Sequence, residues 1–169
     1  MKKLLFFITI LSILIGCKVR QKRLVHFLST LENVKLIASK EDSIKIDSVK
    51  LELKEAQERI DREKNGAWIC FEPKDNAEFR GGITLFREII YKKFKVSTDS
   101  KEGENLIRVT IGKNNSLEKI DFLKYSDESS RKQIEDIFKL KELDNWSSAR
   151  LYRIPVKQQF EISVFIEKR

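Results

Sequence analysis

The stretch from residue 79 to residue 94 reads FRGGITLFREIIYKKF and decides the fold of the C-terminal half of this chain. After its two glycines, Ile83, Phe86, Ile90 and Phe94 recur at the spacing of one helical face. Such an apolar stripe is typical of an amphipathic helix that packs against a core. The sequence therefore predicts a helix from Ile83 to Phe94 that is entered through a glycine turn.

A β-hairpin is predicted next along the chain. Apolar and polar residues alternate from Leu106 to Ile111 and again from Leu117 to Leu123, as they do in a half-buried strand. The segment Gly112-Lys113-Asn114-Asn115-Ser116 lies between them and is rich in turn residues, since glycine and asparagine tolerate positive φ.

A second helix and a last strand complete this half. Ser126-Asp127 offers an N-cap for a helix that runs to about Leu140. After Pro155 the sequence alternates again as a strand. One face of that strand holds Phe160, Ile162, Val164 and Ile166, and the other holds Gln159, Glu161, Ser163 and Phe165. The order helix, hairpin, helix, strand predicts an α+β fold in which two helices cover one face of a three-stranded antiparallel sheet.

The same segments resemble the TonB C-terminal domain. The likeness rests on Phe79-Arg80-Gly81-Gly82-Ile83 and its helix, on the hairpin, and on Trp146 followed by Pro155-Val156 before a terminal strand. It covers residues 67–169. The chain departs from the family pattern at Arg80, Lys95-Val96 and Ser148, where the related branch carries prolines or a Tyr-Pro pair.

The resemblance implies a peptide-binding role for the last strand. In the family, a sheet edge captures an extended peptide of an outer-membrane receptor by strand addition, in which backbone hydrogen bonds supply affinity. The candidate edge runs from Lys157 to Phe165, and its expected binding residues are Gln158, Gln159, Glu161 and Ser163. The alternative is an ordinary edge strand whose polar residues only discourage aggregation. Trp146 is expected to lie in the core.

The N-terminus predicts export. Met1-Lys2-Lys3 precedes an apolar run from Leu4 to Ile15, too short to span a bilayer, and Leu14-Ile15-Gly16-Cys17 resembles a bacterial lipobox. Residues 1–16 are therefore interpreted as a signal peptide, and Cys17 as the lipidated first residue of the mature chain. The alternative is a secretory signal without lipidation. Two or three acyl chains would hold the protein firmly on a membrane.

Residues 17–66 are predicted to form a lipid-anchored, partly helical tether ahead of the domain at 67–169. Leu24, Phe27, Leu28 and Leu31 suit a helical face, the segment from Ile44 to Leu53 alternates as a strand, and residues 54–64 favour a helix. A small subdomain or a docking arm is the alternative. Neither the transmembrane helix nor the proline-rich linker of energy-transducing family members is expected in this chain.

The composition gives little support to catalysis. The single histidine, His26, cannot supply a Ser-His-Asp set or a histidine-rich metal site, and Gly81-Gly82 lacks the residues of a phosphate-binding loop. Cys70 stands in an apolar stretch and is expected to be a buried thiol. We therefore expect no enzyme activity, no cofactor and no metal.

The partners follow from export and from charge patterning. The net charge of +8 comes from basic residues interspersed with acidic ones, and export argues against a nucleic-acid partner. The expected function is an envelope lipoprotein that binds an outer-membrane receptor or transport component, anchored at the periplasmic face of the outer membrane. The alternative is a stand-alone envelope lipoprotein that binds a toxin, a cell-wall fragment or another envelope protein.

Overall fold

A computed structural model describes residues 23–63 and 66–169 of the chain. The fold is α+β, with three α-helices and a mainly antiparallel sheet, and it contains more than the three strands that the sequence predicts. Cys17 and the predicted signal peptide lie outside the described residues. Within the described part, no helix combines the length and the apolar character needed to cross a membrane.

The strands are β1 (Leu24–Leu28), β2 (Glu32–Ile37), β3 (Lys74–Asp75), β4 (Glu78–Phe79), β5 (Gly103–Ile111), β6 (Leu117–Lys124), β7 (Trp146–Ser147), β8 (Ala149–Leu151) and β9 (Ile154–Lys168). The helices are α1 (Lys40–Arg62), α2 (Gly82–Lys93) and α3 (Glu128–Phe138), and a 3₁₀ turn spans Lys141–Leu143.

The long strand β9 is the centre of the sheet. Along one edge it pairs antiparallel with β5, which in turn pairs with β6. Along the other edge it pairs antiparallel with β1 and β2, and its first residues pair with β8. β4 and β7 form a separate two-stranded ribbon.

The helices pack on one face of this sheet. Phe86 and Ile90 of α2 and Ile134 of α3 join Ile107 and Phe160 in one buried cluster. The alternate residues of β9 that the sequence assigns to the core are all buried, because successive side chains of a strand point to opposite faces. The predicted α+β class is therefore confirmed, and the predicted helices, hairpin and last strand are present in a sheet that has more strands than the three expected.

Local signals set the bounds of α2 and α3. Gly81 and Gly82 have φ of 93° and 86°, a left-handed region that glycine adopts without strain, and α2 begins there. Asp127 is the N-cap of α3, and its side chain accepts a hydrogen bond from the Ser130 amide. Both helices begin close to the residues predicted from the sequence.

The N-terminal half differs from the sequence prediction. The segment predicted as a helix around Leu24 and Leu28 is β1, and the segment predicted as a strand from Ile44 to Leu53 lies within α1. A capping box between Ser39 and Asp42 starts α1. Short apolar patterns fit either period, so these capping contacts and the pairing with β9 decide the outcome.

The sheet consequently begins before the predicted domain boundary at residue 67. β1 and β2 are integral strands of the domain, and Leu24, Leu28 and Leu31 pack against its core. α1 is joined to the domain at its first turns: Ile46 packs against Ala149 and Val156. The described part of the tether is therefore largely a structural element of the domain.

Candidate functional site

The predicted free edge of the last strand is occupied. Residues 164–168 of β9 pair with β1, and residues 157–161 pair with β2. Between these two stretches, the Ser163 amide donates to the Ser29 hydroxyl at 2.9 Å, and the Ser29 amide donates to the Ser163 carbonyl at 3.0 Å. The prediction that this strand is an edge is wrong, because the chain's own N-terminal segment supplies the neighbouring strands.

The four predicted binding residues all make intramolecular contacts. The Gln158 side chain accepts from the Ala77 amide at 2.9 Å, and the Gln159 side chain donates to the Thr110 hydroxyl at 3.1 Å. The Ser163 hydroxyl donates to a Glu104 carboxylate oxygen at 2.7 Å. Gln158, Glu161 and Ser163 are buried, so a ligand cannot reach these side chains in this form.

Glu161 is held by both neighbouring strands. Its carboxylate accepts from Asn33 of β2 and from Arg108 of β5, whose Nη2 lies at 2.8 Å. The hydrogen bond from Asn33, followed by that from Arg108, lowers the pKa of Glu161 below its ordinary value. The carboxylate is therefore ionised at neutral pH.

β2 contributes fewer half-buried side chains than β1. Only Leu36 among its six residues is not exposed, and its register with β9 shifts between Glu32 and Lys35, with Asn33 at a φ of 51°. Glu32 also lies directly opposite Glu161, and like charges in cross-strand positions destabilise a sheet. β2 thus occupies the β9 edge with few apolar contacts, one repulsive pair, and one side-chain hydrogen bond, from Asn33 to Glu161.

A second candidate site lies at the N-terminus of α2. This cavity of about 780 Å³, here named the α2 pocket, is bounded by the β4–β7 ribbon, the start of α2 and the connection between β1 and β2. Its apolar lining includes Leu31, Phe79, Ile83 and Trp146. Its size is within the range of small-molecule sites.

Trp146 forms one wall of this pocket. Its ring packs on Phe79, Phe86 and Phe160 with centroids 5.1 to 5.7 Å apart, and its Nε1 donates to the Leu143 carbonyl at 2.9 Å. The residue is 5% exposed, so its predicted core position is confirmed. The wall is rigid because the ring is fixed on several sides and at its polar end.

The pocket also contains charged and polar groups. Arg80, Arg87 and Glu78 line it, so the two guanidinium groups outnumber the carboxylate. No side chain caps α2, and its first turn carries no acidic residue. The first amides of a helix have no intrahelical acceptor, and the end of the helix dipole there favours negative charge.

Arg87 leaves one donor atom unused. Its Nη2 donates to the Leu28 carbonyl at 3.1 Å and so ties α2 to β1. Its Nε is buried and has no hydrogen-bond partner within residues 23–63 and 66–169. A buried donor without an acceptor is costly, and because this Nε is buried it is closed to a pocket ligand in this form.

The residues considered for metal or catalytic chemistry lie elsewhere. His26 is on β1, and its Nε2 lies 2.9 Å from the Tyr91 carbonyl while its ring packs on Tyr91 and Phe94. Cys70 is exposed, which corrects the expectation of a buried thiol, and neighbouring Trp68 is 82% exposed. In the described ranges, no group of histidine, cysteine and carboxylate side chains is arranged to hold a metal ion.

Local sequence patterns indicate only part of the α2 pocket. Gly81-Gly82 predicts a turn, and the sequence signal for an anion site is the uncapped helix start with Arg80 and Arg87 close to it. Thr30 and Leu31 come from a segment distant in sequence, so the closure of the pocket depends on tertiary structure.

Comparison with known proteins gives no relative. No family model, no curated protein and no solved structure matches this chain.

Proposed function

We propose that this chain is a non-catalytic envelope lipoprotein whose α+β domain binds an extended segment of an outer-membrane receptor or transport component. The segment adds to β9 and replaces β2, in the manner implied by the resemblance to the TonB C-terminal domain. Backbone hydrogen bonds of β9 supply the affinity, and the neighbouring pockets select the sequence.

The observation that carries this proposal is the way in which β2 covers β9. β2 contributes one half-buried apolar side chain, the Asn33 hydrogen bond to Glu161 and a Glu32–Glu161 repulsion, so a partner strand that offers Glu161 a donor can replace it at low cost. A partner strand without an acidic residue opposite Glu161 would remove that repulsion. β1, in contrast, brings Leu24 and Leu28 to the core and stacks Phe27 on Phe165, so it remains in place.

The absence of catalytic activity is part of the proposal. It is supported by the structural engagement of the single histidine, which packs on Tyr91 and Phe94. Glu161, Glu104 and Asp42 each have a lowered pKa because hydrogen bonds and cations stabilise the charged form, the opposite of what a general acid near neutral pH requires.

A cross-strand disulfide tests the replacement of β2. Lys35 and Gln159 are register partners, so Lys35→Cys with Gln159→Cys, in a Cys70→Ser background, locks β2 on β9 when oxidised. Peptides from the periplasmic segments of outer-membrane receptors should bind the reduced protein, and oxidation should weaken binding at least about tenfold. The affinities are measured by calorimetric titration.

The matched control locks β1 instead. Val25 and Glu167 are register partners, and Val25→Cys with Glu167→Cys should leave peptide binding unchanged after oxidation. Equal binding by the oxidised and reduced β2-locked protein would contradict strand replacement at β9. Absence of binding at millimolar peptide concentration by the reduced protein would do the same.

The anchor is tested separately, since Cys17 is the proposed lipidation site at the periplasmic face of the outer membrane. Cys17→Ser should remove labelled palmitate from the protein and either release it in soluble form or leave the signal uncleaved. Equal label in wild type and variant would contradict the proposed anchor. Cys70→Ser is the control, because Cys70 is the other cysteine of the chain.

The stand-alone alternative has one observation in its favour, which is the α2 pocket. A lipoprotein that binds a small envelope ligand or a fragment of the cell wall would use such a cavity. The locked proteins separate the two functions: a ligand of the α2 pocket binds whether or not β2 is fixed on β9.

A further inference from the structure

We propose that the α2 pocket binds a carboxylate attached to an apolar body. This inference goes beyond the proposed strand addition, because it concerns a different surface and a small ligand. It rests on three features that meet in one cavity: an apolar wall, unpaired cationic groups, and a helix start without a cap.

The apolar wall fits the body of the ligand. Trp146 and Phe79 are each 5% exposed and hold one another at a ring distance of 5.2 Å, so they present a fixed surface. Leu31 and Ile83 line the same cavity. Burial of an aliphatic chain on this surface removes apolar area from water and so stabilises the complex.

The cationic groups fit the carboxylate. Arg80 is exposed at the pocket, and no ion pair of its guanidinium occurs in the part of the chain that the structure describes. Arg87 lines the same cavity and adds a second positive charge, and its Nη2 is held by the Leu28 carbonyl. An arginine fork matches the two oxygens of a carboxylate, and such charge-assisted hydrogen bonds are stronger than neutral ones.

The start of α2 adds backbone donors to these side chains. The N-cap residue of a helix is often Ser, Thr, Asp or Asn, whose side-chain oxygen accepts from the first free amides. The N-cap residue of α2 is Gly81, and no side chain caps these amides. A Cβ at Gly81 would meet Leu85 Cδ2 at 2.6 Å, whereas a Cβ at Gly82 would meet nothing within 4 Å, so the open side of the helix start is at Gly82. A ligand oxygen that approaches from that side can accept from the first amides of α2.

The negative charge of Glu78 at the pocket allows the preference for an anion to be tested in the opposite direction. It is the one carboxylate that lines the pocket, and it is exposed. It repels an anionic ligand, so its removal should strengthen binding, whereas removal of Arg80 should weaken it. Opposite effects of two exposed, neighbouring side chains are not expected from a change in stability.

The test titrates two matched pairs of probes into the domain. Decanoate is compared with decanol, and an acetylated Leu-Leu peptide with a free carboxylate is compared with its amide. A Trp68→Phe background leaves Trp146 as the reporter, because the chain has two tryptophans and Trp68 is 82% exposed. Binding is followed by Trp146 fluorescence and by the NMR shift of the Gly82 amide.

The expected result is a preference of at least about tenfold for the acid in one of the pairs, since a charge-assisted hydrogen bond is stronger than a neutral one. A preference for decanoate over decanol indicates a free aliphatic acid as the ligand, and a preference for the peptide acid over its amide indicates a peptide C-terminus. Arg80→Gln should abolish the preference, Glu78→Gln should increase it, and Arg150→Gln, an exposed residue on β8, should leave it unchanged. The preference should persist in the protein with β2 locked.

Equal binding of acids and neutral partners, or no binding of either acid at millimolar concentration, would overturn the proposal. A preference for the acid that survives Arg80→Gln and leaves the Gly82 amide unshifted would place the ligand elsewhere and also overturn it. Thermal melts show that each variant is folded before its titration is interpreted.

Discussion

At the scale of single residues, polar contacts fix the start of α1, a segment whose apolar pattern fits a strand as well as a helix. Ser39 and Asp42 cap α1 reciprocally, and Asp42 also binds Lys113, in the turn between β5 and β6, at 2.9 Å. The Ser39 hydrogen bond, followed by that from Lys113, lowers the pKa of Asp42 to about 2. One carboxylate therefore both starts the helix and fixes it on the sheet.

The first prediction concerns the acid stability of this contact. Because the folded pKa of Asp42 is below its unfolded value, its contribution is fully present above about pH 4 and is lost as the pH falls towards 2. Asp42→Asn should lower the free energy of unfolding at pH 6, and the difference from wild type should disappear near pH 2. Urea unfolding at a series of pH values measures it.

Asp47→Asn is the control for this prediction. Asp47 is on the same helix in an exposed ion pair with Lys50, and exposed pairs contribute about 1 kcal/mol or less. A difference between wild type and Asp42→Asn that stays constant from pH 6 to pH 2 would contradict the assignment.

The second prediction concerns the two tryptophans. Trp146→Ala should lower the free energy of unfolding by about 3–5 kcal/mol, because the ring is buried among three aromatic neighbours. Trp68→Ala, at a side chain that is 82% exposed, should change it by less than about 0.5 kcal/mol. Similar losses in both variants, measured by urea unfolding, would show that the Trp146 environment is described wrongly.

At the scale of elements, the pairing of β9 explains why two predictions failed. The residues of β1 fit a helical face as well as a strand, and a five-residue segment carries too little pattern to decide. Its strand form depends on pairing with residues 164–168, more than a hundred positions away. The same pairing removes the edge that the sequence assigned to β9.

The third prediction tests the attachment of β2. Glu32→Gln should raise the free energy of unfolding by a few tenths to about 1 kcal/mol, because it removes the like-charged partner of Glu161. By holding β2 more firmly, the same change should weaken binding of a replacing peptide. Chemical unfolding and peptide titration measure the two effects.

Glu52→Gln, at an exposed position of α1, is the matched control and should be neutral in both measurements. A loss of stability in Glu32→Gln would mean that Glu32 is favourably paired, and the argument that β2 is readily replaced would lose its electrostatic support.

At the scale of the whole molecule, the N-terminal segment lies in sequence between the proposed anchor at Cys17 and the rest of the sheet. The termini of the described domain meet, since the Arg23 amide donates to the Arg169 carbonyl at 2.9 Å and the reverse bond has the same length. The α2 pocket is also completed by Thr30 and Leu31 of this segment. Its strands therefore link the proposed lipid anchor, the β9 edge and the pocket.

The fourth prediction concerns truncation. The fragment 67–169 should melt lower than 23–169 and should self-associate, because it loses Leu24, Leu28 and Leu31 from the core and exposes a long edge of β9. Light scattering after size exclusion and thermal melts measure both effects. The fragment 38–169 retains α1 but lacks β1 and β2. It should already show most of the decrease in melting temperature, since α1 buries few side chains.

A fragment 67–169 that melts and elutes like 23–169 would contradict the integral role of β1 and β2. It would instead support the domain boundary predicted from the sequence.

The sequence by itself determined the C-terminal architecture. The stripe through Phe86 and Ile90, the turn residues after Ile111 and the alternation of β9 are strong local patterns, and the structure contains the predicted helix, hairpin and strand. The core position of Trp146 followed from the same reasoning. Local signals succeed here because each element is long enough for its period to be unambiguous.

Tertiary structure alone decided which edges and cavities are open. Strand pairing depends on backbone groups that every residue carries, so the side-chain pattern of β9 does not reveal that Ser29, Asn33 and Leu36 lie beside it. Likewise, Arg80 and Arg87 surround a cavity only because Leu31 arrives from the N-terminal segment. Long-range pairing brings together residues whose proximity no local pattern encodes, and these contacts define both candidate sites.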